Sequence, residues 1–262
     1  MPARSDTPTG RRPIALITGG AKRVGLACAH AFADAGCDVI ITYRQSHAEA
    51  LAAADALRAK GAHVMLDRLV LDDVGAVDIY ARSLADRLPR LDVVINNASS
   101  YDRTPLATLS AEDALLAYRV NALAPLLISR GCADLLARSP REGGASIVNF
   151  GDIHALAEHG LPRRRDFVAY AMSKAALVEL TRSLARELAP STRVNMLAFG
   201  VVAWPEQGDE ADPVTQQSYL RNVPLAREGS PIDAAQAARW LALDAHYITG
   251  QILRLDGGRS LI

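Results

Sequence analysis

An apolar run from Pro13 to Thr18 passes directly into Gly19-Gly20-Ala21-Lys22-Arg23-Val24-Gly25 and then into an alanine-rich stretch ending near Ala35. A strand that becomes a helix through glycines constrains the fold more than any other feature of the chain. Glycines permit a tight turn and close backbone approach, while the N–H groups and dipole at the helix start favour an anion. Such a turn belongs on the first strand of a parallel sheet, provided that strands and helices keep alternating after it.

The alternation continues to the end. Asp38 to Tyr43 reads as the second strand, and Ser46 with Glu49 predicts a capping box for the next helix. His63 to Leu71 is a third strand, Asp73 to Leu88 a helix, and Leu91 to Ile95 a fourth strand running into Asn96-Asn97-Ala98-Ser99-Ser100-Tyr101. Ser110 with Asp113 caps a long helix to about Ala137, interrupted only mildly by Pro125. Ser146 to Phe150 reads as a buried strand whose end presents Asp152, and Phe167 to Leu188 as a helix. After a sixth strand, Arg193 to Ala198, an irregular segment runs from Phe199-Gly200 to about Arg221, with the length and polarity of a substrate lid. Ser230, Pro231 and Asp233 start the last helix, and Thr249 to Leu255 is the final strand, ending at Asp256-Gly257-Gly258. This pattern predicts an α/β fold, a Rossmann-like doubly wound parallel sheet of about seven strands with right-handed crossovers. One domain is expected over 13–262, preceded by a loose arm over 1–12 that lacks the apolar core of a signal peptide.

Composition narrows the function. Lys+Arg and Asp+Glu number 29 each, so there is no basic footprint for nucleic acid. No apolar run approaches the ~18 residues of a membrane span. Cys28, Cys37 and Cys132 form no CxxC pair and suit buried thiols in a reducing cytoplasm. The sequence has no HExxH, GxSxG or P-loop GK[ST], which disfavours metal, acyl-enzyme and kinase chemistry.

Three residues carry the chemistry. Tyr170 and Lys174, four apart on a helix, share a face. A lysine ammonium beside a phenol favours phenolate, so Tyr170 is expected to exchange a proton below the ordinary tyrosine value of about 10. Asp152 adds a carboxylate at a strand's end. Asn121, an amide in an otherwise apolar helix face, needs a partner and is either structural or holds water. At the end of the second strand, where an NAD-selecting site usually places an acid, the chain has Tyr43, Arg44, Gln45 and Ser46. Arg44 can pair with a 2′-phosphate, so NADPH is the expected cofactor.

TGGAKRVG, NNAS, Asn121, YxxxK at Tyr170 and Lys174, and LDGG together resemble the short-chain dehydrogenase/reductase family over nearly the whole chain. The resemblance implies that Tyr170 is the proton donor, that Lys174 binds the nicotinamide ribose and lowers the tyrosine pKa, and that Asn121 helps hold a proton-relay water. It assigns the pyrophosphate to Gly19, Gly25 and the intervening Ala21, Lys22, Arg23 and Val24. It further assigns cofactor contacts to Asn97, Ala98, Ser99, Gly200, Val201 and Val202, and implies a homotetramer.

Departures from the family pattern point further. Arg23 replaces the middle glycine of TGxxxGxG, Asp152 replaces the serine that polarises a carbonyl, Phe199-Gly200 replaces Pro-Gly, and Val70 stands where an acid often follows the third strand, unless the register places Asp72 there. Arg23, NNASS followed by Tyr101, and Asp152 look like the pteridine reductase and dihydromonapterin reductase branch. There Tyr101 would stack on a pterin, with Arg23, Ser99, Asp152, Tyr170 and Trp204 near the substrate. An ionised Asp152 opposes a developing alkoxide, whereas a pterin offers N–H donors that a carboxylate accepts; alternatively Asp152, raised by burial, shares a proton with Tyr170, the two forming a proton-donating pair. A carbonyl or 3-oxoacyl reductase of the same fold, expected to keep serine at 152, is the alternative reading. A non-catalytic NADPH-binding regulator is a third, against which the intact Tyr170, Lys174 and Asn121 argue.

Overall fold

A computed structural model describes residues 12–156, 164–206 and 208–261. Strands β1 (Ile14–Ile17), β2 (Asp38–Tyr43), β3 (Val64–Arg68), β4 (Val93–Asn96), β5 (Ala145–Asp152), β6 (Thr192–Phe199) and β7 (Ile252–Leu255) pair in parallel in the order β3-β2-β1-β4-β5-β6-β7. The expected doubly wound sheet is therefore present. The chain winds outward from β1 to β3, then returns to place β4 on the other side of β1. The connections leaving the carboxyl ends of β1 and β4 thus run to opposite sides and open a crevice, the usual ligand position in open α/β sheets.

Helices α1 (Arg23–Asp34), α2 (His47–Ala59), α3 (Val74–Arg87), α4 (Ala111–Tyr118), α5 (Ala124–Gly131), α6 (Ala133–Ala137), α7 (Val168–Glu187), α8 (Pro213–Leu220) and α9 (Pro231–Leu243) provide the connections. Strand periodicity divides the core between the two faces. Ala15 and Ile17 of β1 pack with Phe32, Leu57 and Leu241 of α1, α2 and α9. Ile14 and Leu16 pack with Leu84, Ile128 and Leu184 of α3, α5 and α7. Burial on both faces is why these strands read as continuous apolar runs rather than alternating ones.

Several local expectations change. Ser46 is the N-cap of α2 but makes no side-chain capping bond, because its backbone (ψ 59) is not in the extended conformation that Ser110 and Ser230 adopt as caps, and the Glu49 carboxylate pairs with Lys22 at 2.5 Å. The long helix from Ser110 begins with the expected capping box but is not continuous. It widens into a π-helical turn over Arg119–Leu123, where Ala124 N donates to Arg119 O, before α5 and α6 follow. Pro125 has no N–H to give the Asn121 carbonyl, so regular α-helical bonding fails at that turn. The segment after β6 is not wholly irregular, since it contains α8, capped by Asp212 and started by Pro213. The expected arm over 1–12 falls outside the described residues except Arg12. Arg12 is held rather than loose, donating from Nε to Gly36 O at 2.6 Å and from Nη1 to Gly61 O at 2.5 Å.

Cys28, Cys37 and Cys132 are buried free thiols, each pushed up to about 12 by burial. No helix among the described residues is long and apolar enough to cross a membrane.

Candidate active site

The glycine turn after β1 packs too tightly for side chains. Gly19 has φ +64, and a Cβ on Gly25 would lie 2.2 Å from Gly19 O. Arg23 occupies the left-handed region at φ +52, where the family pattern has glycine. The strain is held by long-range bonds, since Arg23 Nη2 donates to Ala203 O at 3.1 Å and to Trp204 O at 2.7 Å. One guanidinium thereby ties the turn after β1 to the segment after β6.

A cavity of about 500 Å³ lies at the crevice. Of the sequence-predicted residues, Gly19, Lys22, Arg23, Val24, Gly25, Asn97, Ala98, Ser99, Tyr101, Asp152, Tyr170, Lys174, Gly200, Val201, Val202 and Trp204 line it. Tyr43, Arg44, Ser46, Ala21 and Asn121 do not. Arg44 is exposed at the end of β2, and among the described residues its guanidinium has no partner. Ala21 is buried in the core beside the turn.

Strand β5 runs two residues beyond its predicted end and so carries Asp152 into the cavity. Gly151 permits this, because a Cβ there would lie 2.4 Å from Met196 Sδ. Asp152 is buried and uses both oxygens. Oδ1 accepts from His154 N at 2.7 Å, capping a short 3₁₀ turn, and Oδ2 accepts from the Tyr170 hydroxyl at 3.0 Å.

This pairing reverses the expected electrostatics of Tyr170. Burial, followed by the Asp152 charge and hydrogen bond, pushes the phenol well above its ordinary value. Lys174 does not counter this. Its Nζ donates to Phe150 O at 2.8 Å, its ammonium lies 5.9 Å from the Tyr170 ring centre, and burial pulls its pKa down to about 8.

Asn121 clamps the turn after β4 to α7. Its Nδ2 donates to Ser100 O and Ser173 Oγ, both at 2.9 Å, while Oδ1 accepts from Ser99 Oγ and Ser100 N, both at 2.9 Å. The amide's hydrogen-bonding capacity is used up. Its side-chain amide therefore has no bond left to give the expected water.

Sequence reading gave no hint of Arg164 or Glu210, which line the cavity beside Tyr101. Arg164 Nη1 donates to the Tyr101 hydroxyl and pairs with Glu210 Oε1 at 3.2 Å, and the same hydroxyl donates to Glu210 Oε2 at 2.8 Å. The Tyr101 ring stacks on Phe167 with centres 4.8 Å apart and meets Tyr170 edge-on at 4.8 Å. One face of Tyr101 is thus covered by protein. Arg164 follows β5 and Glu210 sits in a 3₁₀ turn, Asp209–Ala211, and nothing in their local charge runs marks the two as partners 46 positions apart. For α8 there was a local signal, Asp212-Pro213 followed by Thr215, which forms the observed cap. Trp204 meets Tyr219 edge-on at 5.6 Å, and its Nε1 donates to Glu228.

The family model described as enoyl-(acyl carrier protein) reductase matches residues 19–260. The chain is 34% identical over 249 residues to an uncharacterized oxidoreductase of Mycobacterium tuberculosis, covering 94% of this chain and 91% of the relative. It is 31% identical to a dihydromonapterin reductase of Enterobacter, with 96% and 98% covered, and 29% identical to a 3-oxoacyl-[acyl-carrier-protein] reductase of Synechocystis, with 94% and 96% covered. A short-chain dehydrogenase/reductase from Serratia marcescens superposes with a TM-score of 0.83 at 29% identity, covering 95% of this chain and 98% of that one. A blue fluorescent protein from a metagenomic library, solved in complex with NADPH, has the same TM-score at 28% identity and the same coverage. Sheet order, glycine turn and these likenesses agree: the chain belongs to the short-chain dehydrogenase/reductase family of oxidoreductases.

Proposed function

We propose that the protein is an NADPH-dependent reductase of pterins, acting on a dihydropterin such as dihydrobiopterin or dihydromonapterin. The observation that carries this reading is the buried Asp152–Tyr170 pair at 3.0 Å, set against the aromatic Tyr101. The likeness to a dihydromonapterin reductase supports it.

The residues fit the cofactor. The turn whose Gly25 leaves no room for a Cβ would hold the pyrophosphate at the start of α1, and the unpartnered Arg44 would meet a 2′-phosphate. NADPH, when bound, supplies the hydride. The protein supplies the proton and the orientation. A phenol whose pKa stands above its ordinary value keeps its proton near neutral pH, so Tyr170 is present as the protonated group, and its donation to a ring nitrogen is drawn by the charge that hydride transfer leaves on the substrate. The Asp152 carboxylate accepts N–H bonds from an amino-pyrimidine edge and orients the Tyr170 hydroxyl. The Lys174 ammonium, buried against Phe150 O, is held to bind ribose hydroxyls.

The likeness to a 3-oxoacyl reductase favours a second reading, reduction of a carbonyl. Asp152 argues against it, since a carboxylate repels the alkoxide such a reaction develops. NADPH oxidation measured with dihydrobiopterin, dihydromonapterin, dihydrofolate, a ketone panel and a 3-oxoacyl thioester decides between them. Turnover of the pterins above the carbonyls is expected. Turnover of the carbonyls alone rejects the pterin reading and leaves the reductase.

A further inference from the structure

We infer that Arg68, the last residue of β3, is a second cation that reads the 2′-phosphate of the cofactor together with Arg44. This rests on NADPH as the cofactor. The parallel register sets Arg68 opposite Tyr43, the last residue of β2, so Arg68 stands beside the turn that leaves β2. Its Nε donates to the Arg44 carbonyl at 3.2 Å, which holds the guanidinium at that turn.

Both arginines are exposed, and among the described residues neither the Arg44 guanidinium nor the terminal nitrogens of Arg68 have a partner. An anion at this turn would be met by both cations. The carboxylates that could have served are engaged elsewhere. Glu49 pairs with Lys22 at 2.5 Å. Asp67 precedes Arg68 and so points to the other face of the strand, where it meets Arg87 at 2.8 Å and the Tyr80 hydroxyl at 2.9 Å. At the same turn the His47 ring is bonded through Nδ1 to the Tyr43 hydroxyl at 2.7 Å, and the Ser46 hydroxyl has no partner among the described residues. Two guanidinium groups, a hydroxyl and a histidine make a donor set for a phosphate monoester, with Glu49 and Asp67 already paired.

The test is calorimetric titration of the wild type, Arg68→Gln and Arg68→Lys with adenosine 2′,5′-bisphosphate and with adenosine 5′-monophosphate. The wild type is expected to prefer the bisphosphate. In Arg68→Gln the bisphosphate Kd is expected to rise about tenfold with the monophosphate unchanged, as for loss of a charge-assisted hydrogen bond, and Arg68→Lys to recover part of it. A wild type that does not distinguish the two ligands overturns the NADPH reading and this inference with it. A wild type that distinguishes them, with the preference intact in Arg68→Gln, overturns only the role of Arg68. Equal losses for both ligands mark a structural residue and overturn it too.

Discussion

The Tyr170 hydroxyl donates to Asp152 Oδ2 at 3.0 Å, although one residue closes a strand and the other opens the long helix α7. The other Asp152 oxygen caps the turn after β5, so the carboxylate cannot rotate away without losing the His154 N–H. Orientation of the phenol is thus built into the backbone path.

Removing the phenol's proton leaves the rest of the site in place. Tyr170→Phe should lower kcat by ~10²-fold or more while NADPH affinity, read by fluorescence titration, stays close to that of the wild type. Retention of most activity on every accepted substrate would require another donor.

Asp152→Ser exchanges the carboxylate for a hydroxyl. Pterin turnover should collapse, and any weak ketone activity should hold or rise, since the charge opposing an alkoxide is gone. Melting temperature is the control, because Ser can still cap the 3₁₀ turn. Full pterin activity in this variant would contradict the role given to Asp152.

Lys174 links pH to both binding and stability. Its folded pKa, about 8, lies below the unfolded value of 10.5, because burial disfavours the ammonium. NADPH affinity should therefore weaken as pH rises through about 8, where Lys174 loses its charge. Stability responds in the opposite sense. Between about 8 and 10.5 the unfolded chain binds more protons, so the Lys174 contribution becomes more favourable as pH rises. Lys174→Met should remove the alkaline limb in cofactor titrations and flatten that part of the denaturation profile.

Tyr101 is braced by Arg164 and Glu210, and its hydroxyl is pushed above its ordinary value chiefly by burial. Tyr101→Ala should raise KM for a pterin several-fold, in line with roughly 0.5–1.5 kcal/mol for lost aromatic stacking. Glu210→Gln should give a smaller rise in the same direction, because it loosens the brace and keeps the ring. Unchanged KM in both variants would remove Tyr101 from the substrate wall.

Replacing Arg44 with Asp should move cofactor preference from NADPH toward NADH, since a 2′-phosphate would face a like charge. The ratio of kcat/KM values for the two cofactors reports it.

The sequence alone determined the order of strands and helices, the parallel sheet and the glycine turn. These follow from periodicity, capping and backbone freedom, which act within a few residues. Ser110 with Asp113 and Ser230 with Asp233 form their capping boxes as read. Ser46 with Glu49 carries the same pattern and does not, because the chain enters the helix with Ser46 out of the extended region and Lys22, from the turn after β1, takes the glutamate. Tertiary structure likewise decided the electrostatics. Tyr170 and Lys174 share a helix face, yet the charge that governs the phenol is Asp152, brought in by a strand that runs on past Gly151. Arg164 and Glu210 meet at Tyr101, and Arg68 reaches Arg44, only because the fold sets distant loops and neighbouring strands side by side. Desolvation and Coulomb energy depend on distances through space, which local sequence spacing does not specify.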